Sequence, residues 1–462
     1  IVGSNILAGA SGQATGYDID QSLRFNAASS DVLSKAAGSA GNLDSWTISA
    51  WLKRGSLTHA SHGHNFFGQG DSSPNPPTQM KFYTNNAINI NMYNTNDSTQ
   101  VVSWTSDAIF RDPAAWYHVV IAWDNTLSAP DFLKIYVNGV RIYGTNTVTW
   151  VVGTDSSVNG AYKQELGRYV YNSTEYYDGY MAEYYFIDGS TLTPSSFGET
   201  DADTNQWKPI EYDGTYGAEG WYLKFVSGAI GADSSGNGNT FTATNLSATT
   251  DVVIDTPTNN YCTWSPLWVP PISPTARGKL SEGNLSISSP DTSSASYNGA
   301  TLGTIGVASG KWYFEYYAAS ANYPAIGIAK TDYNQNAAGT NVGNRAWLDD
   351  GSLYGATSSA SGTTWTTGDI IGCAVDMDNG KMWFSKDGAF ISSGDPAAGT
   401  NAQFTDLLSG SDMSSFVTPF WSDVNWGTTD SGVLNCGQDS SFSAAKTAQG
   451  NGGTGEDFYY TP

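Results

Sequence analysis

The sequence predicts an all-β chain organised as two antiparallel β-sandwiches, and three observations carry that expectation. Runs of four to eight residues that alternate or are continuously apolar recur along the chain. No helix period of comparable length appears, and clusters of Gly, Ser, Thr and Asn separate the runs as tight turns do. The 462 residues include 16 Trp, 27 Tyr and 18 Phe, enough bulky apolar mass for a chain of this length to bury most of its unfolded surface.

In the first half, Leu23-Arg-Phe25, Trp46-Thr-Ile-Ser-Ala-Trp51, Trp116-Tyr-His-Val-Val-Ile-Ala-Trp123 and Leu133-Lys-Ile-Tyr-Val137 have the pattern of half-buried or buried strands. Asn138-Gly139, set between Lys134-Ile-Tyr-Val137 and Val140-Arg-Ile-Tyr143, predicts a hairpin with a two-residue type I′ turn. These runs, with Ser22-Leu-Arg-Phe-Asn26 and Asp178-Gly-Tyr-Met-Ala-Glu-Tyr-Tyr-Phe-Ile187 before Leu192-Thr-Pro194, resemble the laminin-G and concanavalin-A-like lectin superfamily in order. The resemblance implies a jelly roll and leaves function open, since such folds bind glycans, bind proteins, hydrolyse polysaccharides or act as spacers.

In the second half, Trp312-Tyr-Phe-Glu-Tyr-Tyr317, Ala325-Ile-Gly-Ile-Ala329, Asp369-Ile-Ile-Gly-Cys-Ala-Val-Asp376 and Lys381-Met-Trp-Phe-Ser385 read as strands, with turns at Asp378-Asn-Gly380 and Lys386-Asp-Gly388. Together with Val417-Thr-Pro-Phe420 they resemble a SPRY domain, which implies a sandwich that binds partners through loops at one end. The expected organisation is a sandwich over 1–255 including its closing segment, a Pro-rich connector over 256–278, the SPRY-like sandwich over 279–437, and a linker or tail over 438–462. Pro266-Leu-Trp-Val-Pro-Pro-Ile-Ser-Pro274 carries the connector, because each proline removes a backbone donor. The Ala, Gly, Thr and Asn of 443–455 carry the linker.

The stretch from Ala232 to Trp264 joins the two arrays. Its Asp233-Ser-Ser-Gly-Asn-Gly-Asn239 turn and Asp255-Thr-Pro-Thr-Asn-Asn260 exit resemble segments of virion structural proteins of tailed bacteriophages. The ending Leu434-Asn-Cys-Gly-Gln438 followed by Phe458-Tyr-Tyr-Thr-Pro462 is similar to one found after SPRY-like domains in phage proteins, where more chain normally follows. The resemblance implies a tail fibre or head fibre that resides in the virion, attaches to a host cell-surface glycan or protein, and contacts other virion proteins; the alternatives are a structural spacer or capsid-decorating protein without receptor binding and, after it, a polysaccharide depolymerase. It further implies a homo-oligomer, with a trimer as the common arrangement for fibres, although no heptad run or repeat supplies a stalk.

Charge narrows the function classes. With 43 acidic against 20 basic residues the formal net charge is −23, and no basic run is present to release counterions, so nucleic acid is not an expected partner. No run of about 18 apolar residues exists for membrane insertion. The start lacks the basic flank of a signal peptide, which together with an extracellular-looking composition suits synthesis in a bacterial cytosol and release by lysis. Cys262, Cys373 and Cys436 are odd in number and far apart in sequence, so no disulfide framework is expected.

Enzymatic activity is not expected. Glycosidic hydrolysis needs a carboxylate pair flanking the bond, and Asp178 and Glu183, five residues apart on one strand, would face opposite sides of the sheet. The candidate ligand-binding residues are aromatic. Tyr169, Tyr171, Tyr176 and Tyr177 surround Asn and Ser in one loop, a composition in which rings stack while amides and hydroxyls hydrogen-bond. Tyr323, Trp347, Trp365, Trp421 and Trp426 fall in loops of the second sandwich, with a share of these rings expected in its core. For metals, Thr58-His-Ala-Ser-His-Gly-His64 resembles a phage-fibre iron motif in which His62 and His64 would face a threefold axis. Calcium, a common lectin accessory, is compatible with the acidic loops without assignable ligands, and no cofactor is required.

Overall fold

The computed structural model describes residues 16–58, 63–70, 77–94, 99–171, 175–270, 277–290, 299–333, 343–355, 359–408, 413, 416–423, 429–453 and 455–462. The described residues divide into two units, one up to Thr258 and a second from Asn259 to Pro462. Both are all-β, as the alternating patterns require, and all pairings between their strands are antiparallel among the described residues.

In the first unit one sheet runs in the order Val140–Ile142, Leu133–Val137, Trp116–Asp124, Ser45–Arg54, Gly179–Asp188, Ser22–Phe25 and Val252–Val253, with Trp221–Leu223 also paired to Gly179–Asp188. The facing sheet runs Gly144–Asn146, Gln100–Ile109, Ala87–Tyr93, Thr78–Phe82, His64–Gln69, Gln164–Leu166, Val32–Lys35 and Thr242–Thr244. Alternation explains which side chains meet. From Trp116–Asp124, the side chains of Tyr117, Val119, Ile121 and Trp123 enter the main core, while Trp116 and Val120 join smaller clusters with Tyr180 and with Tyr185 and Phe197. That strand is therefore buried on both faces and reads as a continuous apolar run.

His118 lies on the outer face of this strand, stacked against Trp51 at 4.7 Å and Trp207 at 5.9 Å. Trp207 Nε1 donates to His118 Nδ1 at 2.9 Å, which leaves Nε2 to donate to Ser49 Oγ at 2.8 Å. Burial holds the imidazole pKa down at about 3, so the ring is a neutral structural bridge.

The hairpin at Asn138-Gly139 forms in the expected register, with positive φ of 49° and 79° at its two residues. A side chain at Gly139 would meet the Trp207 ring at 2.5 Å.

The second unit pairs one sheet, Lys279–Ser281, Ser286–Ser288, Ser431–Asn435, Lys311–Ser320, Ile370–Asp376, Lys381–Lys386 and Ala389–Phe390, with another, Ala300–Leu302, Val417–Asp423, Pro324–Lys330, Asn344–Leu348, Ser352–Tyr354 and Ser359–Ala360. Phe314, Tyr316, Ile326, Ile328, Trp347, Phe384 and Trp421 fill the space between them.

Two segments differ from their compositional reading. Within 256–278, Thr256 is fully buried in the first unit, and Tyr261, Cys262 and Trp264 are buried in the second, where Trp264 N–H donates to Asn284 O at 2.9 Å. Tyr261 and Trp264, which precede the prolines of 266–274, anchor this stretch by burying their rings. The tail over 438–462 also packs down: Phe442 and Phe458 are fully buried, Asn451 and Phe458 exchange backbone hydrogen bonds at 2.9 and 2.7 Å, and Asp457 N–H donates to Gly437 O. Two phenylalanines anchor a stretch that is otherwise turns.

Candidate functional site

The first unit carries an aromatic cleft where its two sheets share an edge. After the Asn138-Gly139 turn, Val140–Ile142 closes one sheet, the chain turns at Tyr143, and Gly144–Asn146 becomes the edge strand of the other. Gly144 is needed there, since a Cβ would sit 2.2 Å from Thr105 O and 2.7 Å from the Trp104 ring. The resulting cleft has a volume of about 390 Å³ and is walled by Trp104, Phe132 and Trp150 with Pro130, Thr147 and Thr149.

Its aromatic wall is held by ring contacts. Phe132 and Trp150 stack with centroids 4.2 Å apart and planes 9° from parallel, and Trp123 meets Trp150 edge-on at 5.1 Å. Trp150 Nε1 donates to Leu127 O at 2.9 Å. Asn146 holds the neighbouring turn, accepting from Ser103 N–H and donating to Val148 O, both at 2.9 Å. No charged side chain is among the described residues lining the cleft. Tyr143, Val151 and Val152, its sequence neighbours, are more than half exposed. Rings, hydroxyls and absent charge suit an uncharged ligand with both apolar and polar faces.

The residues singled out from sequence fall into different environments. Tyr169 and Tyr171 stay together, rings 6.2 Å apart, with Tyr171 58% exposed. Tyr176 and Tyr177 are instead buried: Tyr177 sits edge-on to Phe25 and its hydroxyl donates to Lys53 O at 3.1 Å. Burial pushes that phenol well above its ordinary pKa. Tyr176 and Tyr177 lie just before the strand Gly179–Asp188, where the chain passes under cover, and Tyr177 joins the main core.

Tyr323 is 43% exposed at a positive φ of 81°, in the turn between Lys311–Ser320 and Pro324–Lys330. Its N–H donates to Asp349 Oδ2 at 3.0 Å, and the preceding Asn322 N–H donates to Asp430 Oδ1 at 2.5 Å. Trp347, Trp365 and Trp421 are core residues rather than loop contacts. Trp347 and Trp365 meet edge-to-face at 6.3 Å, and Trp421 Nε1 donates to Tyr316 OH at 3.0 Å. Trp426 lies outside the described residues, as does His62.

His64 does not fit the iron reading. It is 3% exposed, at the start of His64–Gln69, and its Nδ1 lies 3.1 Å from Tyr176 O. A histidine so enclosed within its own sandwich cannot be presented to a shared axis. Among the described residues no group of three or more His, Cys, Asp or Glu is arranged to hold a metal ion.

Asp178 and Glu183 have separate partners. Asp178 Oδ1 accepts from Ser56 N–H at 3.1 Å. Glu183 occupies a bulge in Gly179–Asp188, with φ of 47°, and accepts hydroxyl hydrogen bonds from Tyr17 at 2.9 Å, Tyr222 at 2.5 Å, and Tyr185. Burial raises the Glu183 pKa, and the three phenols oppose that shift. Simple alternation could not reveal this cluster, because a bulge resets which face a residue takes.

Sequence comparison resolves the two halves. Residues 26–196 match the profile of the concanavalin A-like lectin/glucanases superfamily, laminin G type, and residues 311–404 match the SPRY domain. A concanavalin A-like domain is followed by a SPRY domain. Among solved structures, the crystal structure of the SPRY domain of human HERC1 is similar at 16% identity, covering 32% of this chain and 87% of that one with a TM-score of 0.26. No curated protein matches the chain. Laminin G-like and SPRY domains are typically non-catalytic binding domains, and their pairing here suggests a binding or adhesion role. No helix among the described residues is long and apolar enough to cross a membrane.

Proposed function

We propose that this chain is a non-enzymatic appendage protein of a tailed-bacteriophage particle that attaches to a surface glycan or protein of the host, with the aromatic cleft of its lectin-like domain as the contact. The cleft is the observation that supports the reading best: a preformed, uncharged, ring-walled concavity rather than a carboxylate-lined groove. Its lack of a lining carboxylate disfavours glycosidic hydrolysis at that place. The virion assignment is supported by the Asp233–Asn239 turn, the Asp255–Asn260 exit and the Leu434–Gln438 ending. Copies arrayed on one particle would make weak single contacts effective through avidity.

The test is adsorption of purified full-length protein to host envelopes and to a glycan array, with Thr147→Trp as the variant. Thr147 is exposed at the cleft, so an indole there fills the cavity without disturbing the core. Binding by wild type and at least tenfold loss in the variant is the expected result. Equal binding by both would remove the cleft from the reading, and no adsorption by either would remove attachment itself.

A second reading, a spacer or capsid-decorating protein without receptor binding, is favoured by the burial of Tyr176, Tyr177, Trp347, Trp365 and Trp421. Locating the chain in a reconstruction of intact particles separates the two, since decoration places copies at regular lattice sites with the cleft covered.

A further inference from the structure

The second unit brings together two cysteines that the sequence holds far apart. Cys262 lies in the segment that opens the unit, and Cys436 follows directly after Ser431–Asn435. One glutamine ties their main chains: Gln438 Oε1 accepts from Cys436 N–H at 2.6 Å, and Gln438 Nε2 donates to Cys262 O at 2.9 Å. Gln438 is 1% exposed, so the bridge is fixed. The Gln438 bridge brings the two side chains near one another, and Cys436 is the group that acts most strongly on the Cys262 thiol. Gly303 leaves room for the Cys262 sulfur, since a Cβ there would lie 2.7 Å from Sγ, and Thr304 Oγ1 donates to that Sγ at 3.9 Å.

The remaining thiol provides an internal contrast. Cys373 is fully buried in the middle of Ile370–Asp376, where burial pushes its pKa well up and keeps it an unreactive core side chain. Cys262 moves the other way, down to about 7, chiefly through the hydrogen bond from Cys436 and against the effect of burial. Cys436 is half-buried and Cys262 is buried behind it, so the side from which a small oxidant approaches the pair is that of Cys436.

We propose that Cys262 and Cys436 form a reactive dithiol that peroxide converts to an intramolecular disulfide, fastening the opening segment of the second unit to the strand end at Asn435. In the first step the Cys262 thiolate attacks one peroxide oxygen. The S–O bond forms, the O–O bond breaks, and the departing hydroxide takes up the proton that Cys262 had released, leaving as water. In the second step the Cys436 sulfur attacks the Cys262 sulfenic acid. The S–S bond forms, the S–O bond breaks, and hydroxide leaves as water with the Cys436 proton. The thiol pair supplies two electrons, and peroxide accepts both.

The test treats the folded full-length protein with hydrogen peroxide, then counts thiols after denaturation and maps unreduced peptides by mass spectrometry. The chain has three cysteines. The expected result is a fall from three thiols to one, a single linked peptide containing Cys262 and Cys436, a monomer on a non-reducing gel, and full reversal by dithiothreitol. The initial rate should rise from pH 6 to pH 8 as Cys262 ionises, and the second unit's Tm should rise by roughly 5–10 °C on oxidation. Cys373→Ser should still give the linked peptide, whereas Cys436→Ser should give none. Retention of three thiols, a Cys262–Cys373 peptide, or linkage only between chains would each overturn the proposal. The wild-type peptide map decides the matter even if Cys436→Ser fails to fold.

Discussion

Replacing Glu315 with glutamine tests how the C-terminal segment is held. Glu315 lies in the middle of Lys311–Ser320 and is fully buried; its two oxygens accept from Tyr459 N–H and Tyr460 N–H, each at 2.8 Å, and from Asn435 Nδ2 at 3.1 Å. Burial is the main cause of its raised pKa, about 7 against an ordinary 4.5, with those donors opposing the shift. A folded pKa above the unfolded value means the native state holds the proton more tightly between the two values. Stability from this group is therefore fully present below about pH 4.5 and is lost as pH rises through about 7. A shift of that size corresponds to about 3 kcal/mol over the window. Urea unfolding of wild type and Glu315→Gln at pH 5 and pH 8 isolates the term, because Asp430 and every other titrating group contribute to both proteins. The variant should lose about 1–3 kcal/mol at pH 5, since an amide NH₂ replaces one acceptor facing backbone donors. Its stability should then fall less steeply toward pH 8 than that of wild type. Parallel pH profiles for the two proteins would refute the argument.

Asp255 should matter to the first unit far more than its place in a Thr-Pro-Thr run suggests. It accepts from Lys53 Nζ at 2.7 Å and from Trp116 Nε1 at 3.0 Å with neither charged side chain exposed, so Asp255→Ala should cost about 3–5 kcal/mol by urea melt. In the second unit, Phe458→Ala should cost about 3–5 kcal/mol and raise hydrogen exchange at Asn451 and Asp457; an unchanged melt would mean the tail is not anchored. Asp430 has its pKa raised to about 7, first by burial and then by Asp423. Asp423→Asn should lower the Asp430 midpoint by about one unit, observed by carboxyl NMR titration, and no movement would remove the coupling.

The all-β class and the strands were legible because alternation and turn chemistry are local. Leu133–Val137 buries every second side chain, and Asn138-Gly139 turns as its residue types dictate. The candidate sites were legible only in part. Tyr171 and Tyr323 are exposed as a contact reading requires, but composition could not distinguish them from Tyr177, buried just before a strand, or from Trp421, which its strand carries inward. Nothing local marks Trp104, Phe132 and Trp150 as neighbours either, because the edge crossover at Tyr143 brings together residues from separate strands and loops.

By itself, then, the order of residues determined the type of each element and the two successive sandwiches, since side-chain period and backbone preference act over a few residues. Tertiary structure alone decided which rings stay in solvent, that Glu183 gathers three tyrosines at a bulge, and that Gln438 ties the main chains of Cys262 and Cys436 together. Those outcomes depend on strand register and sheet edges, where residues distant in the chain compete for the same buried volume.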